Sequence, residues 1–486
     1  METALDPELQ KPQREPESNQ IRLLEGRNGG PIVCKFGGSS VADASRIEKV
    51  RAIVAANPER RVVVVSAPGR VREGEEKVTD HLLNIATRGE HFREQRKDIR
   101  PADSRHAVLA KFGAIVEGLD VDGAAHLRSL KQDLDCSLDG DERIAFLASR
   151  GEHYNARIIA DYFRASGLEA RVFLPEDFGL LVGGELSDAK VLAESYERMS
   201  AELDVTGAIA VVPGFYGVTR GGDIAVFSRG GSDLTGGEIA YAVGAVVYEN
   251  WTDVSGVFEA DPGIIPEARA IPRLTFKEIR LLAAKGFNVF HLDAMIGCRK
   301  RKIPIQIRNT HRPSDPGTRI LNERVPEEEG VVGIARMDNV AYIYLEKHSL
   351  GEEFGFTARL LTLLRDLRIK TYHYPTDKDD IAVLVDQNDL KGSINDLRRA
   401  IEEQLHPDTM EVVYNLTVLT PVGLSLKHNS YPLVEALKGL AEHHIPIEMI
   451  GQSPSQICFH IGVSQAVADD ALRLLYRVLI APPETA

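Results

Sequence analysis

Ile32-Val33-Cys34-Lys35-Phe36 runs straight into Gly37-Gly38-Ser39-Ser40, after which Ile47, Val50, Ile53 and Val54 recur at helical spacing. A short apolar run, a glycine pair and then a 3.6-residue period predict a strand, a tight turn and a helix. Residues 61–66 carry the β-branched block Val62, Val63, Val64 and Val65 and end in Ala67-Pro68-Gly69, which predicts a second, buried strand. Strand, glycine turn, helix, strand is the opening of a parallel α/β unit.

Outward from there, residues 72–141 are mostly polar and helical in pattern and read as a helical excursion from the sheet. Ile144, Leu147, Ala148, Tyr154, Ile158 and Tyr162 form an apolar helical stripe closed near Gly167. Strands are expected at 170–174, 208–212, 245–251 and 303–307, with a turn at Gly221-Gly222. Thr275 with Glu278 is a capping box that opens a helix ending near Gly286. This alternation predicts one α/β domain with a mainly parallel sheet between helices.

Beyond a stretch rich in Pro, Gly, Asn and Glu at 313–329 the pattern changes. A strand (340–345), a helix (356–367), two strands (370–374, 381–385) and a helix (392–405) are followed by a similar series at 411–419, 431–443, 447–450, 456–463 and 466–479. Two such passes read as tandem ferredoxin-like βαββαβ modules. The expected organisation is a disordered extension over 1–30, a catalytic domain over 31–318, and modules over 331–410 and 411–486, with interleaving of the two modules as the alternative. The run Gln456 to Val463 alternates Ile457, Phe459, Ile461 and Val463, a complete apolar face that could also offer a sheet edge for pairing with a second copy.

The 486 residues include 58 Lys and Arg against 72 Asp and Glu, a net charge of −14. Such an acidic chain lacks the basic footprint of a nucleic-acid binder. No run approaches the ~18 apolar residues of a membrane helix. The first thirty residues contain Asp6, Glu8, Glu15 and Glu17 without an apolar core, so they do not read as a secretory signal. Cys34, Cys136, Cys298 and Cys458 are widely spaced and form no metal or disulfide pattern, which fits a cytoplasmic protein.

Four constellations could carry chemistry. Lys35 with Gly37, Gly38, Ser39 and Ser40 suits a phosphate, because glycines admit backbone N–H groups and the lysine adds a full charge; the same residues also suit an ordinary turn. In Ser228-Arg229-Gly230-Gly231-Ser232-Asp233 the arginine offers a fork for a carboxylate, and Asp233 could hold an ammonium group or orient a lysine. Glu152, within an apolar helical stripe, requires a partner if buried. Thr252 and Asp253 end a buried strand, where α/β sheets place ligands. Walker A and G-x-G-x-x-G patterns are absent.

In this order, together with Ser149-Arg150-Gly151-Glu152, Pro213-Gly214-Phe215-Tyr216-Gly217, Thr252-Asp253 with Gly256, Ala260-Asp261-Pro262, His291, Asn309-Thr310 and Gly317-Thr318, the motifs resemble the amino-acid kinase family and, within it, the aspartate kinases. The resemblance runs from about Ile32 to the C-terminus. It implies the amino-acid kinase fold followed by two ACT modules. It also implies ATP-dependent phosphorylation of the side-chain carboxylate of L-aspartate to 4-phospho-L-aspartate, with Mg2+ on the ATP phosphates. Feedback regulation by lysine or threonine through the ACT modules, and a homodimer or higher homo-oligomer, are part of the same expectation.

By the same resemblance Lys35, Gly37, Gly38, Ser39 and Asp233 are catalytic. Thr79, Glu152, Phe215, Arg229 and Ser232 bind aspartate; Lys35, Ser40, Thr252, Asp253, Phe258, Gly263 and Asn288 bind ATP. Gly263 stands where the family usually has arginine, with Arg269, Lys300 and Arg301 as candidate substitutes. Phe258, Asn288 and Ser453-Pro454-Ser455-Gln456-Ile457 depart from the family pattern as well. Alternatives are a kinase for an aspartate analogue in a specialised pathway, or a catalytically weak, amino-acid-binding regulatory paralogue.

Overall fold

The computed structural model describes residues 29–203, 205–228, 230–283, 295–324 and 330–481. Of the expected N-terminal extension, residues 1–28 lie outside the described residues. The chain divides into two compact units. One holds the described residues up to 253 with those between 293 and 306; the other holds the remainder.

In the first unit, strands β1 (Ile32–Phe36), β2 (Arg60–Val65), β3 (Ala170–Val172), β4 (Ile209–Pro213) and β5 (Val247–Thr252) are all parallel, in the order β5-β1-β2-β4-β3. Helix α1 (Ala44–Ala55) follows β1 and is capped by Asp43, whose carboxylate accepts from the Arg46 N–H over 2.9 Å. Between β2 and β3 the chain forms α2 (Val78–Ala86), α3 (Pro101–Leu119) and α4 (Gly140–Ala165), the helical excursion expected from the sequence. Helix α5 (Gly231–Val243) precedes β5.

Strand alternation sorts the side chains. Cys34, Phe36, Val63, Val65 and Trp251 point into one core with Ile47, Leu82, Phe112, Leu147 and Ile158 of the helices. Lys35 and Asn250 therefore point to the other face. Two hairpins, Val182–Glu185 with Asp188–Val191 and Tyr216–Val218 with Ile224–Val226, were not expected. Strands of three or four residues are too short to show a period.

In the second unit, β6 (Arg273–Thr275) leads into α6 (Phe276–Ala283), and β7 (Thr318–Leu321) pairs with β6 in parallel. The capping box stands as read: Thr275 N–H donates to Glu278 Oε2 over 2.9 Å, and Glu278 N–H donates to Thr275 Oγ1 over 3.3 Å. Glu278 is fully buried and also takes Arg324 at 2.7 Å and the Leu424 N–H at 3.1 Å.

The remainder of this unit is β8 (Gly333–Glu346), α7 (Phe356–Asp366), β9 (Thr371–His373), β10 (Asp380–Asp386), α8 (Ile394–Leu405), β11 (Thr409–Val422), α9 (Tyr431–Glu442), β12 (Met449–Gln452), β13 (Phe459–Ser464) and α10 (Ala468–Leu479). Its strands form one six-stranded sheet, β9-β10-β8-β11-β13-β12, antiparallel throughout. Ala341, Ile343 and Leu345 of β8 pack with α7 and α8, and Met410 and Val412 of β11 join them. Ile334 of β8 and Leu419 of β11 pack with α9, α10 and β13. Each long strand thus feeds two cores.

One expectation is corrected. The run ending at Val463 offers no edge, because β13 is hydrogen-bonded to β11 on one side and to β12 on the other. The edge strands are β9 and β12. Arg269 is already committed as well: its guanidinium holds Glu259, with Nη2 3.0 Å from Oε1, and Glu259 also accepts from the Tyr476 hydroxyl at 2.7 Å.

Candidate active site

The parallel register sets Lys35 of β1 directly beside Asn250 of β5. Both are buried, at 8% and 2% exposure, and both face the first turn of α5. Lys35 Nζ lies 2.6 Å from Asp233 Oδ1. Asn250 Nδ2 donates to the same oxygen over 2.9 Å. An acidic residue in the first turn of a helix is favoured by the helix dipole, so Asp233 suits its position before any ligand arrives.

The turn after β1 is closed tightly. Gly37 N–H donates to the Trp251 carbonyl over 3.1 Å, and Gly38–Val41 form a single 3₁₀ turn that contains Ser39 and Ser40. Ser40 Oγ lies 3.5 Å from the same carbonyl. Gly69 is pressed against this turn: a Cβ there would sit 2.5 Å from the Gly38 carbonyl carbon. Only glycine fits, which explains the glycine after Ala67-Pro68.

Helix α4 approaches the same place. A Cβ on Gly151 would meet the Ala67 Cβ at 2.6 Å, so the missing side chain lets the helix lie against residue 67. The next residue, Glu152, is 4% exposed. Burial pushes its carboxyl up to about 8, opposed by backbone N–H groups, that of Ala67 first, and by the Lys35 charge. Glu152 Oε2 has no hydrogen-bond partner among the described residues. One turn on, Asn155 donates to the Ser66 carbonyl over 2.7 Å and leaves its own Oδ1 unpartnered. Two buried acceptors without donors are costly in a finished interior and suit a cationic ligand.

Phe215 holds a left-handed backbone, φ 77°, which is rare for an aromatic residue. Its N–H donates to Thr235 Oγ1 over 3.1 Å, and Thr235 in turn donates to the Gly231 carbonyl over 2.9 Å. Phe215 therefore stands against the start of α5, beside the buried Ser232. Thr79 is half-buried in the first turn of α2. Thr252 and the exposed Asp253 close β5, with Thr252 Oγ1 donating to Asp253 Oδ1 over 3.1 Å.

The first unit thus brings together Lys35, Gly37, Gly38, Ser39, Ser40, Glu152, Phe215, Ser232 and Asp233. Phe258 and Gly263 belong to the second unit. There Phe258 bridges to Ala270, and the exposed Gly263 donates its N–H to Asp261 Oδ1 over 2.9 Å. Arg229 and Asn288 lie outside the described residues. Asn250, Asn155 and Thr235 were not singled out from the sequence. Asn250 is set on the face of Lys35 by the register of β5 against β1.

Among the described residues no group of three or more His, Cys, Asp and Glu could hold a metal ion. The Asp233 carboxylate already accepts from two donors. These side chains do not form a cage for a divalent cation. No described helix is long and apolar enough to cross a membrane.

The family model described as "Amino acid kinase family" matches residues 30–309. Aspartokinase 3 of Bacillus subtilis is 36% identical over 456 residues, covering 92% of this chain and 98% of that protein. The crystal structure of Clostridium acetobutylicum aspartate kinase superposes with a TM-score of 0.83 at 30% identity, covering 92% of this chain and all of that one. Escherichia coli aspartokinase III, solved with lysine and aspartate, shares the fold at a TM-score of 0.73 and 22% identity, over 93% of this chain and all of that one. The chain belongs to the amino acid kinase family, among the aspartokinases.

Proposed function

We propose that the protein transfers the γ-phosphoryl group of ATP to the side-chain carboxylate of L-aspartate, giving 4-phospho-L-aspartate and ADP. The observation that carries this reading is the buried Lys35–Asp233 pair at 2.6 Å, with Glu152 close by and its Oε2 unpartnered among the described residues. One group offers positive charge to a phosphoryl and the other awaits a cation.

The acceptor carboxylate has a pKa near ~4. It is already a nucleophile at neutral pH, so the site needs no general base. A carboxylate oxygen forms the new P–O bond, the bond between the γ-phosphorus and the β-phosphate bridging oxygen breaks, and ADP leaves with that electron pair. The protein's work is alignment and charge neutralisation. Lys35 and the N–H groups of Gly38 and Ser39 serve the transferred group; the Gly37 N–H, committed to the Trp251 carbonyl, instead holds the turn, and Asp233 orients Lys35. Glu152 takes the substrate ammonium group and the Arg229 fork takes the α-carboxylate. Phe215, Ser232 and Thr79 line the pocket. Ser40, Thr252, Asp253, Phe258, Gly263 and Asn288 serve the nucleotide. Mg2+ is expected on the nucleotide's own phosphates.

We assign residues 31–318 to catalysis, and 331–410 and 411–486 to ACT modules that bind a lysine or threonine effector. The Clostridium relative is described as an allosteric enzyme, which supports this assignment. The exposed Tyr372, Tyr374, Ile447 and Ile450 on or beside the edge strands favour a homodimer formed through this region. No disulfide joins any two of the four cysteines, which favours the cytoplasm.

A coupled assay for ADP release with ATP, Mg2+ and L-aspartate tests the activity; turnover of a close aspartate analogue in preference to aspartate contradicts it. Light scattering of the full chain beside a chain ending at Arg324 tests the assembly. Equal dimerisation of both refutes a dimer built on the C-terminal region.

A further inference from the structure

Asn250 has no assigned part in this chemistry, yet it is the more buried of the two side chains that meet Asp233 Oδ1, Lys35 being the other. At 2% exposure an amide is costly unless its hydrogen bonds are met. An apolar side chain would pack a strand interior without that demand. The amide donates to Asp233 Oδ1 over 2.9 Å, the same oxygen that lies 2.6 Å from Lys35 Nζ. Two residues earlier on the same face of β5, the Tyr248 hydroxyl donates to the Asp233 carbonyl over 3.1 Å. Strand β5 therefore holds Asp233 twice, once by its backbone and once by its side chain.

A carboxylate oxygen has about two acceptor positions. With Lys35 and Asn250 both on Oδ1, these are filled and the carboxylate is fixed in rotation. The consequence reaches Lys35. Its ammonium stands over the glycine turn, 3.4 Å from where a Cβ on Gly37 would be. A carboxylate free to rotate would carry that ammonium away from the turn.

We propose that Asn250 is a positioning residue for phosphoryl transfer: by locking the Asp233 carboxylate it keeps Lys35 aimed across the Gly37–Ser40 turn. The proposal rests on the function proposed above and names a residue that the function does not itself require. Because Asn250 acts through Asp233, its removal changes kcat and leaves substrate binding nearly untouched.

The test is a double-mutant cycle on the full-length protein, with ADP release as the readout. Asn250→Leu is expected to lower kcat about tenfold with both KM values within about twofold, and to add less than about twofold when Asp233 is already Asn. Asn250→Ser removes the amide without adding bulk; it is expected to follow the same pattern and serves if the leucine variant does not fold. Equal losses in both backgrounds, or a rise in KM with kcat kept, overturn the positioning role. Wild-type protein is the control: no ADP release with L-aspartate overturns the function itself, whereas wild-type turnover with an additive cycle overturns only the role of Asn250.

Discussion

Arg60 grips Glu249 through two hydrogen bonds, 2.8 and 3.0 Å long, on the face of the sheet opposite Lys35. Trp251 Nε1 and Cys34 Sγ also donate to Glu249, at 2.9 and 3.3 Å. The pair ties β2 to β5 across β1. The site's two strands, β1 and β5, are thus held in register from behind.

Arg60→Ala is expected to destabilise the protein by ~3–5 kcal/mol, because it takes the guanidinium away from a buried carboxylate. Denaturant midpoints measure this. A loss under ~1 kcal/mol shows that the interior around Glu249 is wetter than its 5% exposure indicates.

Lys35→Ala is expected to lower kcat by ~10²-fold or more while circular dichroism shows the fold retained. The lysine is assigned to charge that develops on the transferred group; its removal also takes the ion-pair partner from Asp233, so the thermal midpoint is expected to fall. Near-wild-type turnover removes Lys35 from the chemistry.

Glu152 titrates near 8 in the fold against about 4.5 ordinarily. Between those values the unfolded chain loses the proton while the folded chain keeps it, so this residue weakens the fold progressively as pH rises through that window. Glu152→Gln is expected to match wild-type stability below the window and to exceed it increasingly up to about 8. Aspartate binding is expected to release a proton from Glu152 at neutral pH, since an ammonium partner favours the carboxylate. Calorimetry in buffers of different ionisation enthalpy reads this directly. Unchanged proton release in the glutamine variant removes Glu152 from the ammonium site.

Gly69→Ala is expected to cost ~1–3 kcal/mol as overpacking and to lower kcat more than ten times. The added Cβ collides with Gly38 in the turn proposed to serve the phosphoryl group. Melting curves and ADP release separate the two effects, and a stable variant with full turnover shows the turn to be compliant.

The parallel unit was legible because β1 and β2 are apolar, punctuated by glycine, and followed by helices with a clean period. Lys35, Glu152 and Asp233 stood out because charged residues interrupt apolar or glycine-rich stretches. Asn250 did not, since an uncharged amide between Glu249 and Trp251 carries no signal until the register of β5 against β1 is known. Thr235 was hidden for the same reason: its role is to support the backbone of Phe215, twenty residues away. The short hairpins escaped because their pairing is non-local and their strands are brief. Strand β13 was misjudged as an edge because alternation reveals which face is buried but not how many neighbours a strand has.

The two fourteen-residue strands β8 and β11 each pass through both C-terminal cores. Neither core closes without residues donated from the stretch that serves the other. Recombination at residue 410 cuts inside β11 and leaves two fragments, each lacking one wall. Evolution, and any engineer building chimaeras, can therefore exchange these modules between relatives only as a pair. A module grafted alone arrives with an open core.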